Sequence, residues 1–492
     1  RRKWMPPPSI ENTVRWRRNP ESFVTELFRD PKTGGPVKLA PWHGEALAAV
    51  RDSDRVSVRA ARGVGKTAML AWLCLYRLTC YSDAFNVFTA PRREQMSMAA
   101  WREIKKWIAL MDPHMRDNFE VQSSRIFMPG LRNEAVATTV GSGNYEGLQG
   151  IHDMNLMFFV DEANGVADNV MDVVLGSTTT SGTKILLAGN PRQSAGLFFR
   201  THVSKSHQKV WRTIRVSAFD MEGMDFYNPG YIEEMRQTWG EQSWQWSAYV
   251  LGEFPTEQED AVIPLGHIRD AVGRKAVPLE GYHPVWGFDP AAGGDRSVLV
   301  KRRANIVEDI VSWRERDQAV SMDKVRRHFW DTPDKDKPAA IVVDAVGMGA
   351  PIADVLRRDG LPIVHWVSSE NSTHKTLYRN KRAEMWHLGR EWFEQQTVVI
   401  PDDDELVEEL AAPIRFVPKD TNTSYGTAYI VEAKDEIKER IGRSTDLADA
   451  LLLSLCAKWR ERDADYLRER LPGVYGRKRK PTPAGATWMS AI

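Results

Sequence analysis

The sequence predicts an α/β protein with two sheets, a parallel-rich sheet in the N-terminal half and a mixed sheet in the C-terminal half. Three observations predict this fold class. A glycine-containing loop at residues 59–67 stands between a strand pattern and a helix pattern. Short apolar runs recur along the chain, and several of them end in a carboxylate. The length of 492 residues exceeds what one core usually supports, so we expect two domains or more.

The composition indicates a folded, globular chain, because 42% of the residues are hydrophobic and 27% are charged. No apolar run approaches the roughly 20 residues of a membrane-spanning helix, and the first residues show no signal-peptide core. We therefore expect a soluble, intracellular protein that binds no membrane. The three cysteines form no C-x-x-C pair, which indicates neither a disulfide framework nor a zinc site.

The net charge of +1 provides no overall field that would attract nucleic acid, so such binding must come from local patches. Basic residues cluster at 1–18 and at 477–480. Two interpretations stay open for each cluster: a solvated end of the chain, or a contact with DNA or a partner.

The loop at 59–67 has the pattern of a phosphate-binding loop. Gly63 and Gly65 allow its backbone N–H groups to face phosphate oxygens at a helix N-terminus. Lys66 is placed to reach the terminal phosphates, and the hydroxyl of Thr67 to bind Mg²⁺. Ala60 stands where the motif has its first glycine. The loop predicts binding of a nucleoside triphosphate, with ATP and Mg²⁺ as the cofactors.

Two further residues near the loop are candidates for nucleotide binding. Arg62 either stabilises charge on the transferring phosphoryl group or orients the loop through a salt bridge to an acid. Trp42 precedes an amphipathic helix and either stacks on the adenine ring or is an ordinary core tryptophan. A second arginine from a neighbouring subunit is also plausible, with these candidates: Arg92, Arg102, Arg125 and Arg132.

Two apolar runs downstream predict parallel strands that end beside this loop. Residues 155–160 lead into Asp161, which we expect to hold Mg²⁺ through water, and Glu162, which we expect to polarise the attacking water. Residues 184–188 lead toward Asn190, placed to sense the γ-phosphate through its amide. The alternatives are a solvated acidic turn for the first run and a plain Gly-Asn-Pro turn for the second.

The second half of the chain carries a different chemistry. Prolines at 255, 264 and 278 mark a domain boundary. Beyond it the patterns predict three strands, a helix, a strand ending in an acid, and a late helix bearing two acids, at residues 285–289, 297–301, 306–313, 322–330, 339–344 and 444–451. This order of elements is that of a ribonuclease H-like nuclease domain.

Four acids at distant positions are expected to meet in that domain: Asp289, Asp344, Asp446 and Asp449. Such a cluster would repel itself unless it bound divalent cations, which can activate a water and stabilise the leaving oxygen in phosphodiester cleavage. The hypothesis is metal-dependent hydrolysis of DNA. Each acid alone could instead be a surface strand-end or helix-cap residue. We assign the helix ligand to both Asp446 and Asp449, since the sequence does not separate them.

Charged residues near these acids have weaker assignments. Asp295 is expected to support a glycine turn rather than bind metal. The basic residues before the last helix either hold the DNA backbone or form a solvated charged segment: Lys434, Lys438, Arg440 and Arg443.

The motifs taken together resemble the large terminase subunit of tailed bacteriophages. The resemblance covers most of residues 40–460, and its order and spacing are specific. The segments that carry the resemblance are 61–67, 158–162, 188–191, 287–290, 343–349 and 446–450.

The resemblance implies two activities: ATP hydrolysis that drives double-stranded DNA into a preformed capsid, and endonuclease cuts in concatemeric DNA at the start and end of packaging. It also implies Mg²⁺ as the metal, with Mn²⁺ as an alternative in the nuclease site. The implied partners are a portal protein, a small terminase subunit and further copies of the chain in a ring, usually of five. The implied place is the host cell cytoplasm, with transient docking on the procapsid.

The resemblance also carries roles onto matching residues of this sequence. Lys66 and Thr67 would hold phosphate and Mg²⁺, Asp161 and Glu162 would be the metal-binding and catalytic acids, Asn190 would couple hydrolysis to movement, and Asp289, Asp344 and Asp446 or Asp449 would be the nuclease ligands. One departure is His43, at a place where relatives often have a glutamine that contacts adenine.

The predicted fold is thus a P-loop ATPase of the ASCE type followed by a ribonuclease H-like nuclease. The predicted domains are 1–258 for the ATPase with a basic arm, 259–280 for a linker, 281–465 for the nuclease and 466–492 for a basic tail. Two rival classes are a helicase or recombination ATPase fused to a resolvase-like nuclease, and a structural protein with decayed sites. The first would show further helicase signatures after Asn190, and the second would have lost the acids.

Overall fold

The computed structural model describes residues 9–91, 100–138, 155–256, 260–277, 282–291, 295–416 and 428–457. The chain divides into two compact units. The first comprises Arg1–Pro255 with Glu439–Gly442, and the second comprises Thr256–Lys438 with Arg443–Ile492. Residues 1–8, Arg92 and the tail at 466–492, to which the sequence analysis assigned roles, lie outside the described residues.

The first unit is built on a sheet to which the described residues contribute eight strands. The strands are β1 Arg55–Ala60, β2 Ala84–Thr89, β3 Glu120–Val121, β4 Arg125–Phe127, β5 Glu134–Ala137, β6 Asn155–Asp161, β7 Lys184–Gly189 and β8 Arg212–Val216. Their order is β3-β4-β5-β2-β6-β7-β1-β8, and every pair from β5 to β8 is parallel. β6 is almost wholly apolar and is buried on both faces, as a central parallel strand requires.

Helices surround this sheet at Ile10–Arg18, Pro20–Leu27, Pro41–Asp52, Lys66–Cys80, Trp101–Ala109, Pro113–Arg116, Asp168–Gly176, Leu197–Val203, Lys205–Gln208, Tyr231–Trp239 and Trp244–Trp246. Helix Lys66–Cys80 is buried at every position except 67 and 68, so it is the central helix of this core. A helix that is apolar all round is stable only when its neighbours cover it on every side.

The strand order places the carboxyl ends of β6, β7 and β1 side by side. β7 lies between β1, which leads into the phosphate loop, and β6, which ends in Asp161. This arrangement is the one expected for the ASCE type of P-loop fold, and it brings the loop, the acids and Asn190 to one edge of the sheet.

The second unit is built on a mixed sheet of five strands within the described residues. They are β9 Pro284–Asp289, β10 Ser297–Arg303, β11 Ile306–Trp313, β12 Ala340–Asp344 and β13 Ile363–Trp366, in the order β11-β10-β9-β12-β13. β9, β10 and β11 form an antiparallel meander, whereas β9, β12 and β13 are parallel. The short strands β14 Arg415–Phe416 and β15 Ile430–Val431 pair separately.

The helices of this unit are Leu265–Gly273, Gln318–Asp331, Gly349–Arg358, Lys381–Glu394, Asp404–Ala411 and Asp446–Leu453, with Lys434–Ile441 passing from one unit to the other in sequence. Together the two sheets confirm the predicted fold class. Helix Lys381–Glu394 begins at Lys381 because the side chain of Asn380 accepts a hydrogen bond from the N–H of Ala383 and caps the helix there.

Residues 259–280, predicted as a linker, are only partly described, and the described part belongs to the second unit. Ile263, Leu265, Ile268 and Ala271 are buried there. Between the prolines of this segment, apolar residues at helical spacing form helix Leu265–Gly273. Over the described parts of both units, no helix combines the length and the apolar character needed to cross a membrane.

Candidate functional site

The phosphate loop connects β1 to helix Lys66–Cys80. Gly63 and Gly65 have φ of +73° and +93°, in the left-handed region that glycine tolerates best. No side chain caps the N-terminus of the helix, so its first N–H groups are available to an anion. Ala60, which replaces a motif glycine, is the last residue of β1 and has no positive φ, so alanine is accommodated there.

The amino group of Lys66 contacts two other predicted site residues at this edge of the sheet. Its Nζ lies 3.2 Å from Oδ1 of Asn190 and 3.4 Å from Oε1 of Glu162. Asn190 also donates from Nδ2 to the carbonyl oxygen of Ala60 at 2.6 Å, which ties it to β1. Lys66 is only 9% exposed, so these partners hold its charge in a largely buried place.

Asp161 and Glu162 differ in their surroundings. Asp161 is 6% exposed, and burial raises its pKa to about 6, although Lys66 opposes the shift. The N–H of Glu162 donates to Oδ1 of Asp161 at 2.9 Å. Glu162 has φ of +50°, a left-handed conformation that costs a residue with a side chain about 1–2 kcal/mol. The backbone at this position is therefore strained, and its side chain pairs with Lys66.

Arg62 contacts an aromatic ring. Its guanidinium lies 3.6 Å from the centroid of the Tyr249 ring, and the backbone N–H of Arg62 donates to the carbonyl oxygen of Tyr249 at 3.0 Å. Among the described residues no ion pair holds Arg62, so the salt bridge to an acid that was one of its two predicted roles is not formed here. Thr67 is the second residue of the helix and is half-buried.

Trp42 and His43 lie in the core beneath the loop. Trp42 is 5% exposed, and its ring centroid is 4.2 Å from that of His43. Nδ1 of His43 accepts from the N–H of Ala40 at 3.1 Å, and burial lowers the pKa of His43 to about 4. A Cβ at Gly65 would lie 2.9 Å from Nε2 of His43. Trp42 is thus buried as an ordinary core tryptophan would be, and His43 lies against the loop at Gly65, while the assignment of Trp42 to adenine stacking remains a prediction.

The second site is formed where β9, β12 and helix Asp446–Leu453 meet. Asp289 ends β9, Asp344 ends the neighbouring parallel strand β12, and the helix packs on β9. Gly287 permits this packing, because a Cβ there would lie 1.9 Å from the carbonyl oxygen of Ala450. The close approach places Asp446 and Asp449 against the end of β9.

Three of the four carboxylates surround the amino group of Lys434. Its Nζ is 3.1 Å from Oδ2 of Asp449, 3.4 Å from Oδ2 of Asp289 and 3.6 Å from Oδ1 of Asp446. Asp344 lies beside this group, and its carboxylate accepts from the N–H of Val346 at 3.2 Å and from Oγ of Ser368 at 3.3 Å. The structure thus brings all four predicted acids together.

The electrostatics of this cluster are unusual. Burial raises the pKa of Asp289 to about 7, Lys434 opposes the shift, and the other three acids add to it. Burial also raises the pKa of Asp344, with Asp449 adding to it. Burial alone would lower the pKa of Lys434, but Asp449, Asp289 and Asp446 outweigh it and raise that pKa. The ammonium therefore stays charged and partly neutralises the acids.

The donor atoms of the cluster suit a divalent cation. They are carboxylate oxygens, which Mg²⁺ and Mn²⁺ prefer, and Oδ1 of Asp449 is buried without a hydrogen-bond partner among the described residues. As the side chains stand, no three His, Cys, Asp or Glu in the described ranges form a ready metal cage. Lys434 explains this, because its ammonium lies among three of the acids.

A buried glutamate positions the helix that carries two of these acids. Oε2 of Glu409 accepts from the N–H groups of Leu447 at 2.7 Å and Ala448 at 3.1 Å, which caps the helix from another element. Oε1 of Glu409 pairs with Arg296 at 2.6 Å. Ser444, just before this helix, does not cap it, because its Oγ makes no hydrogen bond in the described structure.

No family model matches the chain. The comparison with curated proteins finds one relative. The "Probable terminase, large subunit" of Enterobacteria phage P7 is 23% identical over 375 residues, covering 70% of this chain and 74% of that protein. The chain resembles a phage terminase large subunit. The resemblance predicted from the motifs is confirmed.

Solved structures similar to this terminase-like chain include three phage proteins. The large terminase of bacteriophage HK97 has a TM-score of 0.47 and 13% identity, covering 89% of this chain and 98% of that one. The large terminase of a thermophilic bacteriophage, in complex with ADP, has a TM-score of 0.36 and 11% identity, covering 82% and 94%. The nuclease domain of the large terminase subunit of bacterial virus Sf6 has a TM-score of 0.33 and 18% identity, covering 40% and 100%.

Three residues that matter in this terminase-like chain were missed or misplaced in the sequence analysis. His43 lies against the phosphate loop, Lys434 lies among the acids, and Glu409 caps a helix across the unit. Only Lys434 had a local signal, since it lies shortly before the acidic helix in sequence. Lys438 and Arg443, for which contact with DNA and a solvated charged segment were both left open, pair with Asp295 at 2.8 Å and with Glu408 respectively. The catalytic roles of the predicted site residues remain predictions.

Proposed function

We propose that this chain is a DNA-packaging enzyme with two active sites, one that hydrolyses ATP to move double-stranded DNA into a procapsid and one that cuts the DNA. A single observation carries the proposal. Each unit contains its own set of candidate site residues. The first has a phosphate loop with Lys66, Glu162 and Asn190, and the second has four carboxylates that lie close together. The similarity to a terminase large subunit supports their joint use.

In the first site Lys66 holds the terminal phosphates and Thr67 and Asp161 hold Mg²⁺. Lys66 is now paired with Glu162. When Lys66 turns to the triphosphate, the carboxylate of Glu162 is released from that pair and can orient the attacking water. Arg62 leaves the face of Tyr249 to stabilise the charge that develops on the transferred group.

Asn190 links this chemistry to the sheet. Its amide contacts both Lys66 and the backbone of β1, so a change at the γ-phosphate alters two hydrogen bonds at the start of the loop. This geometry supports Asn190 as the residue that couples hydrolysis to movement.

In the second site Asp289, Asp344 and the pair Asp446 and Asp449 hold Mg²⁺ or Mn²⁺. When bound, the metal activates a water and stabilises the leaving oxygen of a phosphodiester. The chain's own residues supply the rest: Thr445 donates to Oδ2 of Asp449 at 2.9 Å, and Ser368 and the N–H of Val346 orient Asp344. These contacts hold the acids ready for a cation.

The remaining features of the proposal rest on the resemblance. They are an ATPase domain at 1–258 and a nuclease domain at 281–465, a pentameric ring on a portal protein, a small terminase subunit as partner, and docking on the procapsid in the host cell cytoplasm.

The test is cleavage of supercoiled plasmid and hydrolysis of ATP by the full chain in Mg²⁺ or Mn²⁺. Asp344→Ala should abolish cutting and leave ATP hydrolysis, whereas Lys66→Ala should abolish ATP hydrolysis and leave cutting. The matched controls are Asp323→Ala and Lys209→Ala, which remove exposed charges in the same two units. Metal-dependent cutting by Asp344→Ala at the parent rate would contradict the second site.

A further inference from the structure

The second unit carries an apolar turn directly beside its four acids. The turn comprises residues 346–349, between the end of β12 and helix Gly349–Arg358. Two of its side chains are large, apolar and exposed, since Val346 is 46% exposed and Met348 is 52% exposed. Single exposed apolar residues are common on protein surfaces, so exposure alone assigns no role to them. The position of the turn gives these two residues a more specific meaning.

Hydrogen bonds hold this turn in one conformation. The N–H of Ala345 donates to the carbonyl oxygen of Trp366 on the neighbouring strand at 2.7 Å. The N–H of Gly349 donates to the carbonyl oxygen of Val346 at 3.1 Å, which closes the turn. Gly347 supplies the φ of +57° that the turn requires. A partner that contacts this turn therefore has little backbone freedom to remove on binding.

The turn lies against both of the strands that end in acids. The N–H of Val346 donates to Oδ1 of Asp344 at 3.2 Å. A Cβ at Gly349 would lie 1.8 Å from the carbonyl oxygen of Asp344 and 3.3 Å from Cγ of Pro290, which follows Asp289. Successive nucleotides of a DNA strand are about 3.4 Å apart along the helix axis. A phosphodiester held at these acids would therefore have its neighbouring nucleotides beside the turn.

The apolar character of the turn suits a position next to carboxylates. A lysine or arginine there would pair with the acids, as Lys434 does, and would compete with a cation for their oxygens. Valine and methionine side chains contact sugars and base edges without pairing with a carboxylate. Proteins that bind DNA use apolar side chains, methionine among them, against base steps. The turn can thus bind DNA where basic residues would disturb the site.

We propose that the turn at 346–349 is a contact surface for the DNA that the four acids cut, with Val346 and Met348 packed on the sugars and base edges next to the hydrolysed phosphodiester. The inference rests on the proposed function of the second site and adds the surface that positions its substrate. The geometry favours DNA over a protein partner, because a protein held on this turn would cover the acids that the substrate has to reach.

Cleavage of supercoiled plasmid by the full chain in Mn²⁺ tests this proposal, with KM and kcat determined separately. Met348→Ser should raise KM about threefold while kcat stays within about twofold, since a binding contact is lost and the acids are untouched. Adding Val346→Ser, which keeps the N–H that Asp344 accepts, should raise KM about tenfold. Met348→Leu keeps an apolar side chain and should cut like the parent. These ratios should be the same at low and at physiological salt, because an apolar contact releases no counterions.

Val277→Ser is the matched control and should leave KM unchanged. Val277 is 68% exposed, and its carbonyl oxygen accepts from Asn305 in the turn between β10 and β11, at the opposite end of the sheet. An unchanged KM in the double variant would overturn the proposal, and so would a fall in kcat at constant KM, which would mean that the turn only orients Asp344. If the parent shows no metal-dependent cutting, or Asp344→Ala cuts like the parent, the proposed function of the second site has itself failed.

Discussion

At the scale of single residues, both sites hold buried carboxylates next to one lysine. Lys66 pairs with Glu162 in the first unit, and Lys434 lies among Asp289, Asp446 and Asp449 in the second. In each case the ammonium lowers the cost of burying negative charge before any ligand arrives. Lysine suits this task because its single flexible charge can move away when a phosphate or a cation takes its place.

The raised pKa of Asp289 predicts how the stability of the metal-free chain depends on pH. Its folded-state pKa of about 7 lies above its unfolded value of about 4, so the fold favours the protonated form. The contribution of this group to stability is therefore fully present below pH 4 and is lost as the pH rises through about 7. Asp289→Asn removes the buried charge, and should stabilise the chain at pH 8 by on the order of 2 kcal/mol more than at pH 5.

This expectation is checked by thermal denaturation in the presence of a chelator at pH 5, 6, 7 and 8. Asp323→Asn, an exposed acid of the same unit, is the control and should show no such trend. A destabilisation by Asp289→Asn that is equal at pH 5 and pH 8 would contradict the assignment of a raised pKa to this carboxyl.

At the scale of elements, helix Asp446–Leu453 decides whether the second site exists. It is eight residues long, and two of its N–H groups are capped by Glu409 from another helix. Its backbone approaches β9 at Gly287. A short helix has little stability of its own, so these tertiary contacts hold Asp446 and Asp449 in place.

Gly287→Ala tests this dependence. The added methyl group would lie 1.9 Å from the carbonyl oxygen of Ala450 and must push the helix away from β9. We expect a loss of about 3 kcal/mol in unfolding free energy and loss of plasmid cutting, measured by denaturant titration and the cleavage assay. Gly273→Ala is the matched control, since open space surrounds that position within a helix and alanine there should be neutral or slightly stabilising. Equal behaviour of the two variants would refute the close approach.

At the scale of the whole molecule, the two sites lie in separate compact units. Each ligand should then stabilise the chain through its own site. A ligand at about 100 times its dissociation constant stabilises its binding unit by roughly 2.7 kcal/mol.

Thermal shift measurements with two ligands test this separation. Mg·ATP should raise the melting temperature of the parent and of Asp344→Ala but not of Lys66→Ala. Mn²⁺ without nucleotide should raise that of the parent and of Lys66→Ala by more than that of Asp344→Ala. A variant that abolished both shifts would show that the sites do not act independently.

Many features of this molecule could be predicted from the sequence because they depend on patterns of residues that are close together in the chain. The apolar run at 155–160 and the strand pattern at 306–313 match strands within a residue, since a buried parallel strand and a strand of a β-meander each have a characteristic residue pattern. The loop with Lys66 and the acids at strand ends were likewise visible, because parallel strands present their carboxyl ends at one edge. Within the predicted linker, the sequence analysis missed helix Leu265–Gly273, since the prolines outweighed a short helical pattern.

The sequence by itself determined the fold class, the phosphate loop and the identity of the four acids, because each depends on residue type and spacing along the chain. Only the tertiary structure decided what surrounds them: Trp42 and His43 beneath the loop, Lys434 among the acids, Glu409 at the helix terminus and the apolar turn at 346–349 beside Asp344. The physical reason is that burial and side-chain pairing depend on residues tens to hundreds of positions away. The sequence around a residue does not show which of these distant residues it will contact in the fold.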